Sequence, residues 1–418
     1  MKEKCDSVEI LCIGTEILLG NIINTNSAVI SRGLADIGMD MYHHTVVGDN
    51  PKRLKEALDV AFSRNNIVIT TGGLGPTCDD LSKETVAEYF GARLVLDEPS
   101  VEYMQSFFKK LGCPMTANNK KQAMMPEGCI ILRNANGTAP GAILEKDGKI
   151  AILLPGPPRE MIPMFENEVL PYLQKRSGRV FRSHCVYFFG IGESTLESEL
   201  QAEMLAMKNP TLAPYAKDGE VMLRVTASAK TEDETEKLLA PVVQMLKEKY
   251  PRYIYGVDVV NLQTALVQRL AEKKLTIATA ESCTGGYIAK RITDVAGSSE
   301  VFLGGVVSYA NSAKHKLLGV KEKTLLKYTA VSAQTAGEMA RGAQRKFGAS
   351  IGISTTGIAG PSGGSNEKPV GLVYVGVATD KGTAVLKLKL SRGYAEEREY
   401  IRYVAASHAL NAVLKLIK

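Results

Sequence analysis

Ile67-Val68-Ile69-Thr70-Thr71-Gly72-Gly73-Leu74-Gly75-Pro76-Thr77-Cys78-Asp79-Asp80 carries the reading that decides the fold of the N-terminal part of the chain. A short β-branched apolar run breaks into glycines and resumes as a helix from about Asp79 to Phe90. That is a buried strand delivered into a turn and then a helix. Working outward, 8–13 reads as a buried strand, 26–37 as a helix, 40–47 as a strand and 51–63 as a helix. Beyond the quoted stretch, a helix is expected at 98–111 and β-rich segments at 129–133, 140–146 and 150–154. This alternation predicts a parallel sheet covered on both faces. Pro155-Gly156-Pro157-Pro158 stops the last strand, a helix follows over 159–167, and Pro171 is expected to end the unit.

Lys175–Arg182 reads as a polar, basic, glycine-containing linker. After it, the order strand (184–189), helix (193–206), strand (211–216), strand (220–228), helix (232–249) and strand (253–255) describes a small α+β unit. Its charges cancel, with twelve basic and twelve acidic residues between 171 and 260. A third unit opens with a helix at 261–273 and a strand at 275–280. Strands at 303–309, 350–355, 370–378 and 383–390 and helices near 312–318 and 332–347 follow, and an amphipathic helix over 395–416 closes it. The expected division is 1–172, 173–258 and 259–418.

With 418 residues, 45% hydrophobic and 23% charged, the chain can bury several cores. A net charge of +6 spread along the sequence reads as a solvated surface rather than a nucleic-acid footprint. Aromatics are 6% and tryptophan is absent, which disfavours base-stacking surfaces. Seven scattered cysteines form no CxxC pair, so a reducing compartment is expected, with no disulfide framework and no zinc knuckle. Met1-Lys2-Glu3-Lys4 leads into a strand without an apolar targeting segment, and no run is long enough to span a bilayer. A cytoplasmic protein without membrane attachment is expected.

Two stretches carry chemistry. In the first, glycines at 72, 73 and 75 let backbone N–H groups face a ligand, and the helix start adds partial positive charge. Asp79 and Asp80 beside such a cradle suit a divalent metal bridging to phosphate oxygens; the alternative is that they cap the helix. Gly14-Thr15-Glu16, Asn24-Thr25-Asn26 and Pro155-Gly156-Pro157-Pro158 complete the set. Together these motifs resemble the molybdopterin-binding fold, and more closely the N-terminal domain of the CinA (competence/damage-inducible) family, over roughly residues 7–170. The resemblance implies a three-layer αβα domain associated with metal-assisted ADP-ribose pyrophosphatase activity. It carries Glu16, Asn24, Asn26, Gly72, Gly73 and Gly156 over as substrate-binding residues, and Asp49, Asp79 and Asp80 as metal ligands. Ser82 stands where the family usually has Thr.

The middle unit resembles the KH-like domain of long CinA proteins. Nucleic-acid binding by a KH domain needs a GXXG loop and a basic face. Gly190-Ile191-Gly192-Glu193 breaks that spacing and ends in an acid, which favours a structural or dimer-forming role.

In the second chemical stretch, Ala280-Glu281-Ser282-Cys283-Thr284-Gly285-Gly286 follows a strand and opens a helix. A serine there is placed as a nucleophile near helix-start N–H groups. None of the five histidines completes a Ser-His-Asp order, so Lys314 is the candidate base. Taken singly, Ser282 reads equally as a helix cap and Lys314 as a surface lysine. Cys283 is a competing nucleophile on paper, with no nearby histidine to activate it. A third glycine loop, Thr356-Gly357-Ile358-Ala359-Gly360-Pro361, is expected to supply further N–H donors. In this order the motifs resemble the C-terminal domain of CinA, also called PncC, over about 260–415. The resemblance implies an α/β domain that needs no cofactor and converts nicotinamide mononucleotide to nicotinate mononucleotide and ammonia in pyridine-nucleotide recycling. It makes Ser282 the nucleophile and Lys314 its base, with Tyr309 and Thr356 orienting substrate or holding the oxyanion. Glu281, Thr284, Gly285, Gly286 and Gly357 would line the pocket, and Arg398 would meet the 5′-phosphate. Small-molecule nucleotides and a second copy of the chain, as a homodimer, are the partners it implies. The other reading is a non-catalytic nucleotide or pterin binder linked to competence or damage.

Overall fold

The computed structural model describes residues 7–177, 179–217, 219–394 and 396–417. The chain start at Met1–Lys4, Gly178 of the expected linker and the helix start expected at 395 lie outside the described residues.

The first sheet has six strands, in the order Asp40–Val47, Ser7–Ile13, Ile67–Thr71, Lys149–Leu154, Gly141–Lys146 and Ile130–Leu132. The first four run parallel, and Gly141–Lys146 runs antiparallel to both of its neighbours, Lys149–Leu154 and Ile130–Leu132, so the fully parallel sheet expected from the alternation becomes a mixed one. The reason is local. Asp147-Gly148 turns the chain directly back, both at positive φ, and a two-residue connection can only join antiparallel strands. Both faces are buried, as a continuous apolar strand requires. Val8, Ile10 and Ile69 pack into one core, Leu11, Ile13 and Val68 into the other.

Helix Thr25–Asp36 is capped by Asn24, whose side chain accepts from Ser27 N–H, and Pro51–Arg64 by Asn50. Pro171 does not end the unit. It lies inside a continuous helical run, Pro158–Met164, Phe165–Val169 and Leu170–Ser177, just past the wide turn at Phe165–Val169, where the ordinary α-helical ladder is already interrupted. The linker expected at 175–182 therefore shrinks, because helix occupies its start and strand Val180–Phe189 its end.

The four-stranded sheet of the middle region is ordered Thr211–Lys217, Glu220–Ala229, Val180–Phe189 and Ile254–Val257, with helices Glu193–Ala206 and Glu232–Lys249. By contact density the chain divides into two compact units. One is Met1–Ser183 with Thr226–Leu238; the other is His184–Val225 with Leu239–Lys418.

The third sheet is ordered Phe302–Val307, Ile277–Glu281, Ile351–Gly357, Leu372–Thr379 and Gly382–Lys389. Its first three strands are parallel. Helix Arg398–Leu416 packs on one face through Ile401, Ala405 and Leu410, and helix Ala333–Phe347 on the other through Met339 and Ala343. Helix Glu322–Tyr328 was not anticipated from the sequence.

Candidate functional site

In the N-terminal unit, the strand ends at Ile13 and Thr71 open onto a cleft of about 650 Å³. Glu16, Asn24, Asn26, Asp49, Gly72, Gly73, Asp79, Asp80 and Gly156 all line it. Gly72 has φ +109°, and a Cβ there would stand 2.1 Å from Ile13 O, so no side chain fits. Its N–H donates to Leu154 O at 3.0 Å, while the next amides, of Gly73, Leu74 and Gly75, meet no backbone acceptor among the described residues. Three adjacent unclaimed N–H groups at a strand end are a cradle for an anion.

The polar side chains of this cleft are partly spent on its own construction. Asn24 caps its helix and donates to Cys12 Sγ. Asn26 Nδ2 donates to Gly156 O at 2.7 Å and Thr71 Oγ1 at 2.9 Å, tying two strand ends together. Asp49 Oδ2 accepts from Thr15 N–H and hydroxyl, both at 2.9 Å. Asp79 and Asp80 do not open the helix, which begins at Ser82. Asp80 Oδ2 instead accepts from Thr77 N–H at 2.9 Å and Thr77 Oγ1 at 2.6 Å, closing the turn beside Gly75. Among the described residues, no group of three or more His, Cys, Asp or Glu side chains stands close enough to hold a metal ion on protein ligands alone. Asp49, Asp79 and Asp80 line the cleft without forming a cluster of three potential ligands.

Sequence reading missed two lysines behind this loop. Lys83 is 4% exposed, and its ammonium donates to Lys121 O and Gln122 O, both at 2.9 Å. Burial pulls it down to about 8. Lys121 Nζ donates to Thr77 O and Asp80 O. Together they fasten the glycine loop to the segment carrying Gln122, another cleft residue. A lysine on the apolar face of helix Ser82–Phe90 was the available signal.

The second site is smaller, about 200 Å³, and lined by Ser282, Cys283, Tyr309, Lys314, Thr356, Gly357 and Arg398 with Ala330, Val331 and Ala359. Lys314 Nζ stands 3.0 Å from Ser282 Oγ, although 32 residues separate them. It also donates to Ser308 O at 2.8 Å and Tyr309 O at 3.1 Å, so three acceptors meet the three protons of an ammonium. Lys314 is fully buried, and desolvation lowers its pKa. Cys283 beside it is pushed up to about 12, chiefly by burial, which removes it as a thiolate nucleophile at neutral pH.

Glu281 and Thr284 turn inward, and this corrects their expected place in the pocket wall. Glu281 is 1% exposed; its carboxylate accepts from Thr284 Oγ1 at 2.7 Å, Gly286 N at 3.0 Å, Ile288 N at 3.0 Å and Ala289 N at 2.8 Å. The helix-start N–H groups expected to hold an oxyanion are thus taken by an internal carboxylate. Gly285 and Gly286, at φ +60° and +95°, shape the turn rather than line the cavity. Among the described residues, the N–H of Cys283, next after the serine, is engaged by no backbone carbonyl.

The Thr356 hydroxyl donates to Ala330 O at 2.7 Å, so its proton is not available to an oxyanion. The third glycine loop adds little, since Ile358 N–H is bonded to Leu372 O and Gly357 lies in the strand ladder. Tyr309, 66% exposed, stands at the mouth. Arg398 donates to Gly360 O and reaches Tyr309 Oη at 3.5 Å, leaving most of its five N–H donors for a ligand.

Fold and sites together define a multidomain α/β protein with a molybdopterin-binding-like first domain and a buried serine–lysine pair in its last. Family models agree along the chain: "Probable molybdopterin binding domain" over residues 9–175, "Damage-inducible protein CinA KH domain" over 183–256 and "CinA C-terminal domain" over 259–417. A CinA-like protein of Kosmotoga olearia is 49% identical over 409 residues, covering 98% of each chain. One of Dictyoglomus turgidum is 50% identical over 383 residues, covering 92% of this chain and 93% of its own. A crystal structure of the competence/damage inducible protein CihA from Agrobacterium tumefaciens is 40% identical, spans 38% of this chain and 94% of its own, and has a TM-score of 0.36. The chain belongs to the CinA family of competence/damage-inducible proteins. Among the described residues, no helix is long and apolar enough to cross a membrane.

Proposed function

We propose that the Ser282 cavity hydrolyses a carboxamide, converting nicotinamide mononucleotide to nicotinate mononucleotide and ammonia. The observation that carries this reading is the 3.0 Å contact between Lys314 Nζ and Ser282 Oγ inside a buried cavity. Neutral Lys314 takes the Ser282 proton as Oγ bonds to the carboxamide carbon. Charge developing on the carbonyl oxygen meets the Cys283 N–H. Lys314 returns the proton to the leaving nitrogen, the C–N bond breaks and ammonia departs from an acyl-serine. Water then attacks the same carbon with Lys314 again as base, and the carboxylate leaves with Ser282 restored. The ring carrying the carboxamide fits the small cavity, and the ribose phosphate extends past Tyr309 to Arg398.

The test is ammonia release from nicotinamide mononucleotide by wild type, Ser282→Ala and Lys314→Met, with and without EDTA. The expected result is release that EDTA leaves unchanged and that both substitutions abolish. No release by the wild type, or release surviving Ser282→Ala, overturns the assignment.

A second reading belongs to the other cleft, where the three unclaimed amides after Gly72 favour a diphosphate-containing nucleotide. Hydrolysis of ADP-ribose there would draw its divalent cation in with the substrate, whose phosphate oxygens would complete a coordination shell that Asp79 or Asp80 begins. Turnover of ADP-ribose that requires added divalent cation and falls with Asp80→Ala supports it; turnover unaffected by Asp80→Ala sinks it.

A further inference from the structure

We propose that the backbone N–H of Ala330 is a catalytic donor at the Ser282 cavity, sharing the developing oxyanion with the N–H of Cys283. The assignment rests on amide hydrolysis at Ser282. It starts from Thr329, whose φ of +65° with ψ of 177° lies where the backbone is in practice reserved for glycine. A β-branched residue stays there only if its surroundings hold it. Lys368 Nζ donates to Thr329 Oγ1 at 2.6 Å and to Tyr328 O at 3.1 Å. Thr335 Oγ1, fully buried, donates to Thr329 O at 2.7 Å, and Ser332 Oγ stands 3.2 Å from the same oxygen.

These contacts fix the direction of one peptide unit. In a trans peptide the carbonyl and the following N–H point to opposite sides. Thr329 O faces the buried hydroxyl of Thr335, so Ala330 N–H is turned the other way. It meets no acceptor among the described residues, and Ala330 lines the same cavity as Ser282 and Lys314. The next carbonyl, Ala330 O, would repel an oxyanion if it were bare. It instead accepts from Thr356 Oγ1 at 2.7 Å. Helix Ala333–Phe347 begins three residues on and adds partial positive charge at its start.

The cavity has a use for this donor. The Thr356 hydroxyl and the amides of Gly286, Ile288 and Ala289 are already committed within the protein. Cys283 N–H alone is one hydrogen bond to an oxygen that gains a full charge, and serine hydrolases commonly pair that amide with one from another loop.

The test replaces Ala330 by lactate in the full chain, which exchanges its N–H for an ester oxygen and keeps the side chain. Two rates are read: ammonia release from nicotinamide mononucleotide, and phosphonylation of Ser282 by a fluorophosphonate, followed by intact mass. In the second, Ser282 Oγ displaces fluoride from phosphorus and the phosphoryl oxygen takes the place of the oxyanion, so no nicotinamide is needed. The ester should lower kcat by about 10²–10³-fold with KM little changed, and slow phosphonylation in parallel. An ester carbonyl is also a weaker acceptor for Thr335, so Thr335→Val measures that loss alone. It should cost about ten-fold, with Thr335→Ser restoring the rate. Phosphonylation by the ester protein that equals wild type, or that falls no further than in Thr335→Val, overturns the donor. Slowed phosphonylation in a protein whose wild type releases no ammonia supports the donor and overturns the amide substrate. A wild-type Ser282 that is not phosphonylated overturns both.

Discussion

The two glycine turns, 72–77 and 282–286, arise from the same grammar and end in opposite use of their N–H groups. Each follows a buried parallel strand and precedes a helix. In the first, the amides of Gly73, Leu74 and Gly75 are left unclaimed along a wide cleft, and the nearby carboxylate of Asp80 closes a turn beside them. In the second, Glu281 turns beneath its own loop and takes three N–H groups and a hydroxyl. One turn leaves three amides open, while the other already holds an internal carboxylate and leaves Ser282 beside Lys314. Where the nearest carboxylate sits decides how many N–H groups each turn keeps free.

The largest break in this comparison is chemical. Ser282→Ala should lower ammonia release by roughly 10⁴-fold or more while ADP-ribose turnover is unchanged, and Asp80→Ala should do the reverse. Parallel assays of both substrates on both variants check this, and loss of both activities in either variant would mean the sites are not separable.

Next is a stability effect confined to the first turn. Lys83 has a folded pKa of about 8 against 10.5 for the free side chain. Below pH 8 both states hold the proton and burial of the cation costs stability. From about 8 to 10.5 the unfolded chain binds more protons, so stability rises with pH. Lys83→Met should remove that rise, worth about 3 kcal/mol. Urea midpoints of wild type and variant at pH 7 and pH 10 measure it; parallel shifts of both proteins would refute it.

Glu281→Gln tests the second turn. An amide cannot accept from four donors as a carboxylate does, so Ser282 should lose its aim. A fall in kcat of about 10²-fold with KM little changed is expected, and a change confined to KM would place Glu281 in substrate binding instead. Amide hydrolysis should also rise with pH through a midpoint below 10.5, because Lys314 acts as the neutral amine and burial lowers its pKa. The smallest effect is Gly73→Ala. At φ +68° a side chain costs about 1–2 kcal/mol, and its Cβ would fall 2.0 Å from Ser82 Oγ. Weaker ADP-ribose binding with unchanged ammonia release is the expected readout.

Much of the fold was legible because it is written in short-range pattern. Val8–Ile13 and Ile67–Ile69 read as strands because both faces of the sheet are covered, and 26–37 and 51–63 read as helices, which the structure caps with Asn24 and Asn50. The reversed strand Gly141–Lys146 escaped the pattern, since the strand signal does not carry direction and the Asp147-Gly148 turn sets it. Pro171 misled because it follows a wide helical turn at Phe165–Val169, through which the helix runs on to Ser177.

The sequence by itself determined most of the elements and the place of Ser282 on a strand-to-helix turn, because each depends on neighbours a few residues away. Tertiary structure alone decided which polar groups remain for chemistry. Lys314 reaches Ser282 only because parallel strands Ile277–Glu281 and Phe302–Val307 end side by side. Glu281 and Thr284 looked like pocket residues, and Thr356 like a hydroxyl donor, until the fold gave their hydrogen bonds to the protein itself. A side chain's type fixes what it can donate or accept; burial and the partners that packing brings fix whether anything is left to offer a substrate.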